Sequence, residues 1–364
     1  MQQTPSATPV SIERSLTCAL PPGYRRLGSS GAFYYEDERG RRVREARILE
    51  RIRRIAIPPA WTSVWINLNA RGRLQATGRD ARGRKQYRYH VGFRAKCEEK
   101  KFANLAEFGR VLPRLRRAVR AGLSATELQR ENVCALAVRL LEASCIRVGN
   151  DEYVRANGSY GLTTLRKRHV RVTGALIRFD FIGKSNIKHQ VELVDPELAR
   201  LVRGLWKLPG YGLLKYVDHT GSIRRLQSDD VNAFIRSATQ ADHTARQFRT
   251  WAATVLAVSE FGRMPPPASQ NQARRGAMVV LRQIARRLGN TPTVCRKSYV
   301  HPAVLSGFSA GTLPPLARSA TEAGLAPRGD RLTAAENYVL RLLNADGSGQ
   351  DAAGARGGDQ VAAR

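Results

Sequence analysis

The repeat of apolar residues changes near residue 101, and this change limits the possible folds more than any other feature. Before it, short strand-like segments such as Lys85–His90, in which Gln, Arg and His alternate with Tyr, are separated by Arg-Gly turns. After it, from Phe102 on, apolar residues recur every three or four positions, as on one face of a helix. A chain of 364 residues is also too long for one small core. We predict an α+β protein with a small β-rich domain over residues 20–101 and a larger, mostly α-helical domain over residues 102–343.

The helical pattern is interrupted over residues 162–195, where apolar and polar residues alternate on both sides of a Gly-Lys-Ser-Asn turn. This pattern predicts a small antiparallel sheet with Lys184 at the tip of a hairpin. Outside the two domains, residues 1–19 are polar and are predicted to be disordered. Residues 344–364 are rich in Gly, Ala, Asp and Gln and are predicted to form a flexible tail.

The chain is strongly basic along its whole length, with 61 Lys and Arg against 30 Asp and Glu and a net charge of +31. A polyanionic partner follows from this excess, and nucleic acid is the commonest one. Two alternatives are a membrane surface and a coding bias toward Arg, Ala and Gly. Membrane binding calls for a basic amphipathic helix with bulky apolar residues opposite, and none stands out.

The cysteines and carboxylates do not form a recognisable metal or disulfide pattern. Five cysteines without a CxxC motif fit neither a disulfide framework nor a zinc site, and Cys134 and Cys145 fall in a helical apolar pattern as small core residues. A Gly-Lys-Ser sequence ending at Ser185 looks like a phosphate-binding loop, but Arg178 stands where that motif needs glycine. We therefore expect no metal, no nucleotide site and no other cofactor. The absence of a long apolar run or a signal sequence predicts a soluble intracellular protein.

The stretch from Gly289 to Tyr299 carries the most suggestive side chain. Gly289 can end an amphipathic helix, Thr291-Pro292 can start another, and Tyr299 follows Arg296 and Lys297. A surface tyrosine among cations can stack on a base or attack phosphorus, and it can also be an ordinary helix-end residue. Attack at neutral pH requires help, because a phenol has a pKa of about 10.

Other polar side chains stand at the predicted ends of elements. Arg147 follows a helix, Lys184 lies at the hairpin tip, Arg249 belongs to Arg-Gln-Phe-Arg-Thr-Trp, and Asn290 follows Gly289. Each cation taken alone is best explained as a solvated residue or an ion-pair partner. Taken together with Tyr299, they form an ordered set.

Several sequence blocks, in this order and spacing, resemble type IB DNA topoisomerases of the short, poxvirus-like kind found in bacteria. The resemblance covers nearly all of residues 20–303. The blocks are Ile57–Trp61, Thr77–Asp80, Gln86–Tyr89, Ile146–Gly149 with Tyr153, Gly161–Leu165, Phe181–Lys184, Phe248–Trp251, Gly289–Pro292 and Ser298–Val300.

The resemblance implies a chemistry and assigns a role to each member of the set. In that family a tyrosine attacks a backbone phosphate to form a 3′-phosphotyrosyl link, the free 5′-hydroxyl end rotates, and the reverse attack reseals the strand. Tyr299 matches the nucleophile, Arg147 and Arg249 match the residues that hold the non-bridging oxygens, and Lys184 matches the lysine that protonates the leaving 5′ oxygen. Asn290 stands where the poxvirus enzymes have a histidine, and its amide can still donate to a non-bridging oxygen.

The resemblance also implies a partner and an architecture. Duplex DNA is the expected partner, held by a monomer that forms a clamp, without ATP, metal or membrane, in the cytoplasm at the nucleoid. The larger domain would share the tyrosine recombinase and topoisomerase IB fold. The expected DNA-contacting residues are Arg79, Gln86, Tyr87, Tyr89, Tyr153 and Arg246.

Two other functions remain open from the sequence. A tyrosine site-specific recombinase shares the catalytic domain, but usually has His-x-x-Arg where this chain has Arg246-Gln-Phe-Arg249. Recombinases also usually carry a helical N-terminal domain. A non-catalytic basic DNA-binding protein would bind DNA without forming a covalent adduct.

Overall fold

The computed structural model describes residues 21–124, 128–313 and 329–355. The chain divides into two compact units between Glu99 and Lys100, close to the boundary predicted between Lys101 and Phe102. Helices and small antiparallel sheets are both present, which confirms the mixed class. The recombinase-like fold of the larger unit stays a prediction. The predicted disordered segment 1–19 and the end of the predicted tail, residues 356–364, lie outside the described residues.

The first unit is a five-stranded antiparallel sheet with one helix. The sheet order is β2-β1-β3-β4-β5. Ile52 of the helix and Val64, Ile66 and Ala76 of the sheet form a small buried core, because alternate strand residues face the same side. The elements are β1 (Gly23–Leu27), β2 (Tyr34–Glu36), α1 (Ala46–Ile55), β3 (Thr62–Asn67), β4 (Leu74–Arg79) and β5 (Lys85–Tyr89).

Helix α2 (Val91–Ser124) begins earlier than the helical pattern predicted, which was at Phe102. Its first turns are rich in charged residues and mostly exposed. A solvent-exposed helical segment carries no apolar repeat, so its period cannot be read from the sequence. The buried residues Leu105, Phe108 and Leu112 then follow the predicted helical spacing.

The second unit is mainly helical and is built around one large apolar core. Helices α3 and α7 are buried along most of their length, including Cys134 as predicted. The helices after α2 are α3 (Arg130–Ser144), α4 (Asp151–Asn157), α5 (Pro196–Lys207), α6 (Ser228–Thr239), α7 (Ala245–Phe261), α8 (Gln270–Leu288), α9 (Pro292–Ser298), α10 (Pro302–Ser309) and α11 (Ala334–Ala355).

Two small antiparallel sheets interrupt these helices. The first has the order β6-β7-β8, with strands β6 (Val170–Thr173), β7 (Leu176–Ile182) and β8 (Lys188–Val194). The turn Lys184–Asn186 joins β7 to β8, so the predicted hairpin with Lys184 at its tip is confirmed. The second sheet, β9 (Lys215–Val217) with β10 (Ile223–Arg225), was not predicted.

A buried charge cluster ties α11 to the rest of the second unit. Glu336 accepts hydrogen bonds from the Arg116 guanidinium at 2.6 and 3.1 Å and from Trp251 Nε1 at 3.1 Å. Arg116 Nε also donates to Glu142 Oε1 at 2.8 Å. Because Trp251 belongs to α7, the cluster connects α11 with α2, α3 and α7.

Helix α11 runs to Ala355, beyond residue 343, where the mostly helical domain was predicted to end. The predicted flexible tail from Asn344 therefore starts as helix. Gly, Asp, Ser and Asn make up most of the first turns of this segment and disfavour a helix, whereas its alanines favour one. Composition alone cannot show that extension.

Candidate active site

Tyr299 stands at the end of the short helix α9, and its backbone is fixed on both sides. Thr291 caps the start of this helix by accepting from Val294 N, and Pro292 occupies the first turn, as predicted. Thr254 Oγ1 of α7 shares its one proton between Thr250 O at 2.9 Å and Tyr299 O at 3.2 Å, and it accepts from His301 N at 3.2 Å. The tyrosine ring itself is half-buried. The nucleophile candidate is therefore anchored through its main chain to a buried helix.

Arg249 is buried beneath this tyrosine and is oriented by the ends of two helices. Its Nη1 donates to the carbonyl of Cys145, and its Nη2 donates to Leu288 O at 2.7 Å. Both carbonyls lie at helix C-termini, where they have no partner in their own helix. The guanidinium carbon lies 5.3 Å from the centroid of the Tyr299 ring. Cys145 caps α3 directly after its last residue and adopts a left-handed conformation with φ of 56°, and this bend directs its carbonyl.

Arg147 follows α3 and reaches the same place from another direction. Its Nη2 donates to Asn290 Oδ1 at 2.7 Å, and its carbonyl accepts from Leu162 N at 2.8 Å. The backbone just beyond it crosses that of Gly161 so closely that a Cβ on Gly161 would lie 2.5 Å from the Gly149 Cα. Only glycine fits there, which explains the glycines of these two sequence blocks.

Asn290 is placed by the end of α8. Gly289 ends that helix with φ of 60°, as predicted, and Asn290 N donates to Ala285 O at 3.0 Å. The amide oxygen is taken by Arg147, whereas the buried Nδ2 makes no well-formed hydrogen bond among the described residues but lies close enough to the Tyr299 phenol to help lower its pKa. A buried amide donor without a well-formed hydrogen bond is costly, and it is available to an incoming acceptor.

The charges of the site act on the phenol. Burial raises the pKa of Tyr299, but the Arg249 and Arg147 guanidiniums outweigh burial and leave this pKa below its usual value. Burial, followed by the charge of Arg249, lowers the pKa of Arg147. The neighbouring Cys295 is fully buried, and burial raises its thiol pKa to about 11. The site therefore favours a phenolate and disfavours a thiolate.

No hydrogen bond or ion pair joins Lys184 to these four residues. It is exposed on the turn between β7 and β8, where Ser185 and Asn186 adopt φ of 65° and 61°. Within the described part of the chain its ammonium makes no hydrogen bond or ion pair. The structure thus brings together Tyr299, Arg147, Arg249 and Asn290, and leaves the lysine on the adjacent hairpin.

Two family models match the chain. The model of the catalytic core of eukaryotic DNA topoisomerase I matches residues 90–310, more than half of the chain. The model of the N-terminal domain of bacterial DNA topoisomerase IB matches residues 32–80. The chain belongs to the type IB DNA topoisomerase family.

Individual type IB topoisomerases resemble the chain as well. DNA topoisomerase 1B of Acanthamoeba polyphaga mimivirus is 30% identical over 284 residues, covering 76% of this chain and 84% of the relative. DNA topoisomerase 1B of vaccinia virus (strain Copenhagen) is 27% identical over 139 residues, covering 37% of this chain and 43% of the relative. These matches confirm the resemblance drawn from the sequence blocks. They also confirm the enzyme class, an isomerase that acts on DNA.

In this topoisomerase the predicted DNA-contacting residues of the first unit lie at the end of its sheet. Tyr87 and Tyr89 are half-buried and stack with ring centroids 6.2 Å apart. Exposed Arg79 donates to Gly83 O at 2.8 Å, and Gln86 Nε2 donates to Asp80 Oδ2 at 2.9 Å. The hairpin thus already holds two of these polar groups in place. Their contact with DNA stays a prediction.

The remaining predicted DNA contacts belong to the second unit. Tyr153 on α4 is 56% exposed, and Arg246 is exposed in the first turn of α7. Neither is in the group around Tyr299, although both are accessible to a large ligand. Their role also stays a prediction.

Sequence reasoning missed two residues near the phenol. Lys101 Nζ lies 5.1 Å from the centroid of the Tyr299 ring, and His189 is close enough to Arg147 and Arg249 for both to lower its pKa. Neither residue belongs to a spacing pattern that marks a site. The helical position of Lys101, directly before the buried Phe102, is the one available signal.

The residues that the structure describes are 21–124, 128–313 and 329–355. Within them, no helix is both long and apolar enough to cross a membrane. Within the same residues, no group of three or more His, Cys, Asp or Glu side chains could hold a metal ion.

Proposed function

We propose that the chain relaxes supercoiled duplex DNA by cutting one strand through a 3′-phosphotyrosyl intermediate, letting the free end rotate, and rejoining the strand. The observation that carries the proposal is the convergence of Arg147, Arg249 and Asn290 on the Tyr299 phenol. Three donor groups around one nucleophile suit a phosphate whose charge grows in the transition state. Fixed cations supply this stabilisation, so the proposed reaction uses neither metal nor ATP.

The cleavage step begins at the phenol. Tyr299 loses its proton to solvent, and the phenolate oxygen forms a bond to phosphorus. The bond between phosphorus and the 5′ oxygen breaks, and the electron pair stays on that oxygen. Lys184 donates a proton to it, because an alkoxide is otherwise a poor leaving group. The free 5′-hydroxyl then reverses these steps to reseal the strand, and the energy of the phosphodiester is kept in the phosphotyrosyl bond.

The two guanidiniums are suited to the non-bridging oxygens. Each guanidinium offers a planar fork that can bind phosphate oxygens, which an ammonium cannot do in the same geometry. Asn290 Nδ2 adds a buried donor beside the phenol. The same charges lower the pKa of Tyr299, which supports the choice of this phenol as the nucleophile. The clamp, the monomeric state and the nucleoid location remain predictions from the resemblance.

The decisive experiment traps the covalent complex. The protein is mixed with a suicide DNA duplex that loses the short downstream fragment with the free 5′-hydroxyl after cleavage, and the peptide that carries the nucleotide is mapped. We expect an adduct at Tyr299 with excess EDTA and no nucleotide present. Tyr299→Phe should bind the duplex like the unchanged protein but form no adduct and relax no plasmid. An adduct elsewhere, or plasmid relaxation by Tyr299→Phe, would contradict the proposal.

The same experiment separates the proposal from its alternatives. A non-catalytic DNA-binding protein would shift the duplex in a native gel and leave no adduct on a denaturing gel. A recombinase would form the adduct but would also join two partner duplexes that carry a specific paired site. Relaxation of a plasmid without such a site, with no joined product, supports the topoisomerase.

A further inference from the structure

His189 lies inside the hairpin that carries Lys184, with its ring facing the apolar side. It stands on β8 directly opposite Phe181 on β7. The two rings are nearly parallel, 7° apart in plane, with centroids 5.1 Å apart. One face of the imidazole is therefore fixed by a buried aromatic ring, which limits the positions open to the histidine.

Two glycines border the rest of the ring. A Cβ added at Gly183 would lie 2.5 Å from His189 Cδ2, and a Cβ added at Gly289 would lie 2.1 Å from His189 Cε1. Non-bonded atoms do not approach so closely, so each glycine leaves room that the imidazole fills. Gly183 directly precedes Lys184, and Gly289 directly precedes Asn290. The ring thus lies between the residues that precede two predicted site residues.

We propose that His189 is a positioning residue, which packs between Gly183 and Gly289 and so aligns the Lys184 turn with the phosphate bound at Tyr299. This inference rests on the proposed function. The turn is closed by Gly183 N, which donates to Ile187 O at 2.8 Å. Lys184 is exposed, and the next two residues adopt left-handed conformations that an L-residue seldom takes. A turn of this kind needs a neighbour to fix its position, and the His189 ring provides one.

The charge state of the His189 ring is consistent with a role in packing. Burial first, and then the charges of Arg147 and Arg249, lower the pKa of His189 to about 4. The imidazole is therefore neutral at physiological pH, and it adds no third cation beside the two guanidiniums. A neutral flat ring packs against glycine backbone and Phe181 without a desolvation cost for charge.

The experiment compares two leaving groups at the cleavage site. Two suicide duplexes are made, one with the ordinary 5′ oxygen at the cleavage site and one with a bridging 5′ sulfur. A thiolate leaves without a proton donor because a thiol is far more acidic than an alcohol. Misplacing a general acid therefore slows cleavage of the oxygen substrate alone. Single-turnover rates on both duplexes report how well Lys184 is aligned.

We expect His189→Ala to cleave the oxygen duplex about 10–100-fold more slowly, the cost of a misplacement of roughly 1 Å. It should cleave the sulfur duplex nearly as fast as the unchanged protein. Unchanged rates on the oxygen duplex would overturn the proposal. Equal losses on both duplexes would also overturn it, because they would assign the ring to the phosphate-binding side or to folding.

A second variant, Gly183→Ala, tests the same contact by changing the glycine instead of the histidine. Gly183 has φ of −100°, which alanine adopts without strain, so Gly183→Ala adds only a methyl group against the ring. It should show the same loss on the oxygen duplex, and this loss should shrink in the background of His189→Ala. Additive losses would contradict the proposed contact.

The matched control is His169→Ala. His169 is also half-buried, also packs on an aromatic ring, with its centroid 4.4 Å from that of Tyr160, and also has a lowered pKa because of burial. Its ring touches no residue of the site. We expect rates within about threefold of the unchanged protein on both duplexes, as for a site remote from the chemistry. A loss confined to the oxygen duplex in this variant would overturn the assignment to His189.

Results with the unchanged protein distinguish a failure of the proposed function from a failure of the role proposed for His189. If it forms no adduct at Tyr299 with either duplex, the proposed function fails and the role of His189 fails with it. If it forms the adduct and His189→Ala cleaves both duplexes at unchanged rates, only the role of His189 fails.

Discussion

Arg249 is oriented by backbone carbonyls rather than by a carboxylate. Its two terminal nitrogens donate to Cys145 and Leu288, and Arg147 donates to an amide oxygen. In the described part of the chain neither arginine forms an ion pair. A carboxylate partner would cancel the charge that a phosphate needs, whereas a carbonyl orients the guanidinium and leaves its charge unbalanced. The lowered pKa of Tyr299 follows from these unbalanced charges.

Arg249→Lys should separate charge from geometry. A lysine keeps the positive charge but cannot donate to both helix ends and a phosphate in fixed directions. We expect single-turnover cleavage to slow about 10²–10³-fold, comparable to losing one preorganised donor. Arg263→Lys, on an exposed residue paired with Glu260, is the control and should cleave normally. A rate for Arg249→Lys within a factor of a few of the unchanged protein would show that fork geometry is unimportant.

The pH dependence of cleavage should follow the Tyr299 phenol. The phenolate is the reactive form, so the rate rises with pH until the phenol is ionised. Because Arg249 and Arg147 lower the pKa of Tyr299, the plateau should begin below the usual phenol value of about 10. In Arg147→Ala one of these charges is gone, so the midpoint should move to higher pH.

The measurement is an absorbance titration of phenolate, taken as the difference between each protein and its Tyr299→Phe counterpart. Arg178→Ala, on an exposed residue paired with Glu192, is the control and should leave the midpoint in place. A midpoint for Tyr299 that is insensitive to Arg147 would remove the electrostatic explanation.

Residue-level reasoning could place only the residues that stand at recognisable ends of elements. Tyr299, Asn290 and Arg147 follow helix stop and start signals, which the sequence displays. Lys101, His189 and Thr254 act from the middle of a helix or strand, where nothing local distinguishes them from ordinary half-buried residues. Their position near the phenol depends on packing between segments that are far apart in the chain. This packing cannot be read from a single sequence.

Helix α7 connects the site with the C-terminal helix. It carries Arg249, Trp251 and Thr254, and Trp251 donates to Glu336 of α11. Glu336 is almost fully buried and also holds Arg116. The charge cluster thus supports the helix from which the site is built.

Glu336→Gln should destabilise the second unit. The substitution leaves the buried Arg116 with Glu142 as its remaining carboxylate, and removing one partner of a buried ion pair costs about 3 kcal/mol or more. The free energy of unfolding in urea should fall by that amount. Glu260→Gln breaks an exposed pair and should cost less than about 1 kcal/mol. Equal effects of the two substitutions would show that burial does not matter here.

At the level of elements, the sequence predicted those with a strong repeat and missed those without one. The hairpin β7–β8 shows clear alternation and was predicted with Lys184 at its tip. Strands β9 and β10 are three residues each, too short for an alternation to be visible. They are set by Asp218, which accepts from Thr220 N and Ser222 N and from Arg224 Nε. Such a turn is recognisable only once its strands are known.

The charge of the whole molecule predicts how it binds. A net charge of +31 should make phosphate contacts the main source of DNA affinity, and such contacts release counterions. With about 6–10 phosphates neutralised, the affinity should fall about 10³–10⁵-fold between 50 and 200 mM salt. Fluorescence anisotropy of Tyr299→Phe with a labelled duplex measures this without cleavage. A nearly flat salt dependence would mean that the charge serves another purpose.

Thr254 hydrogen-bonds to the main chain of both Tyr299 and His301. These two bonds have a mechanical consequence for a protein that carries a DNA strand end on Tyr299. Torque from a rotating duplex would pull on that side chain and on the main chain behind it. Helix α9 is seven residues long and offers little resistance alone. Because Thr254 holds the carbonyl of Tyr299 and the amide of His301, the load passes into a long helix buried in the core. Tyr299 can thus stay in position for the resealing reaction while the DNA rotates.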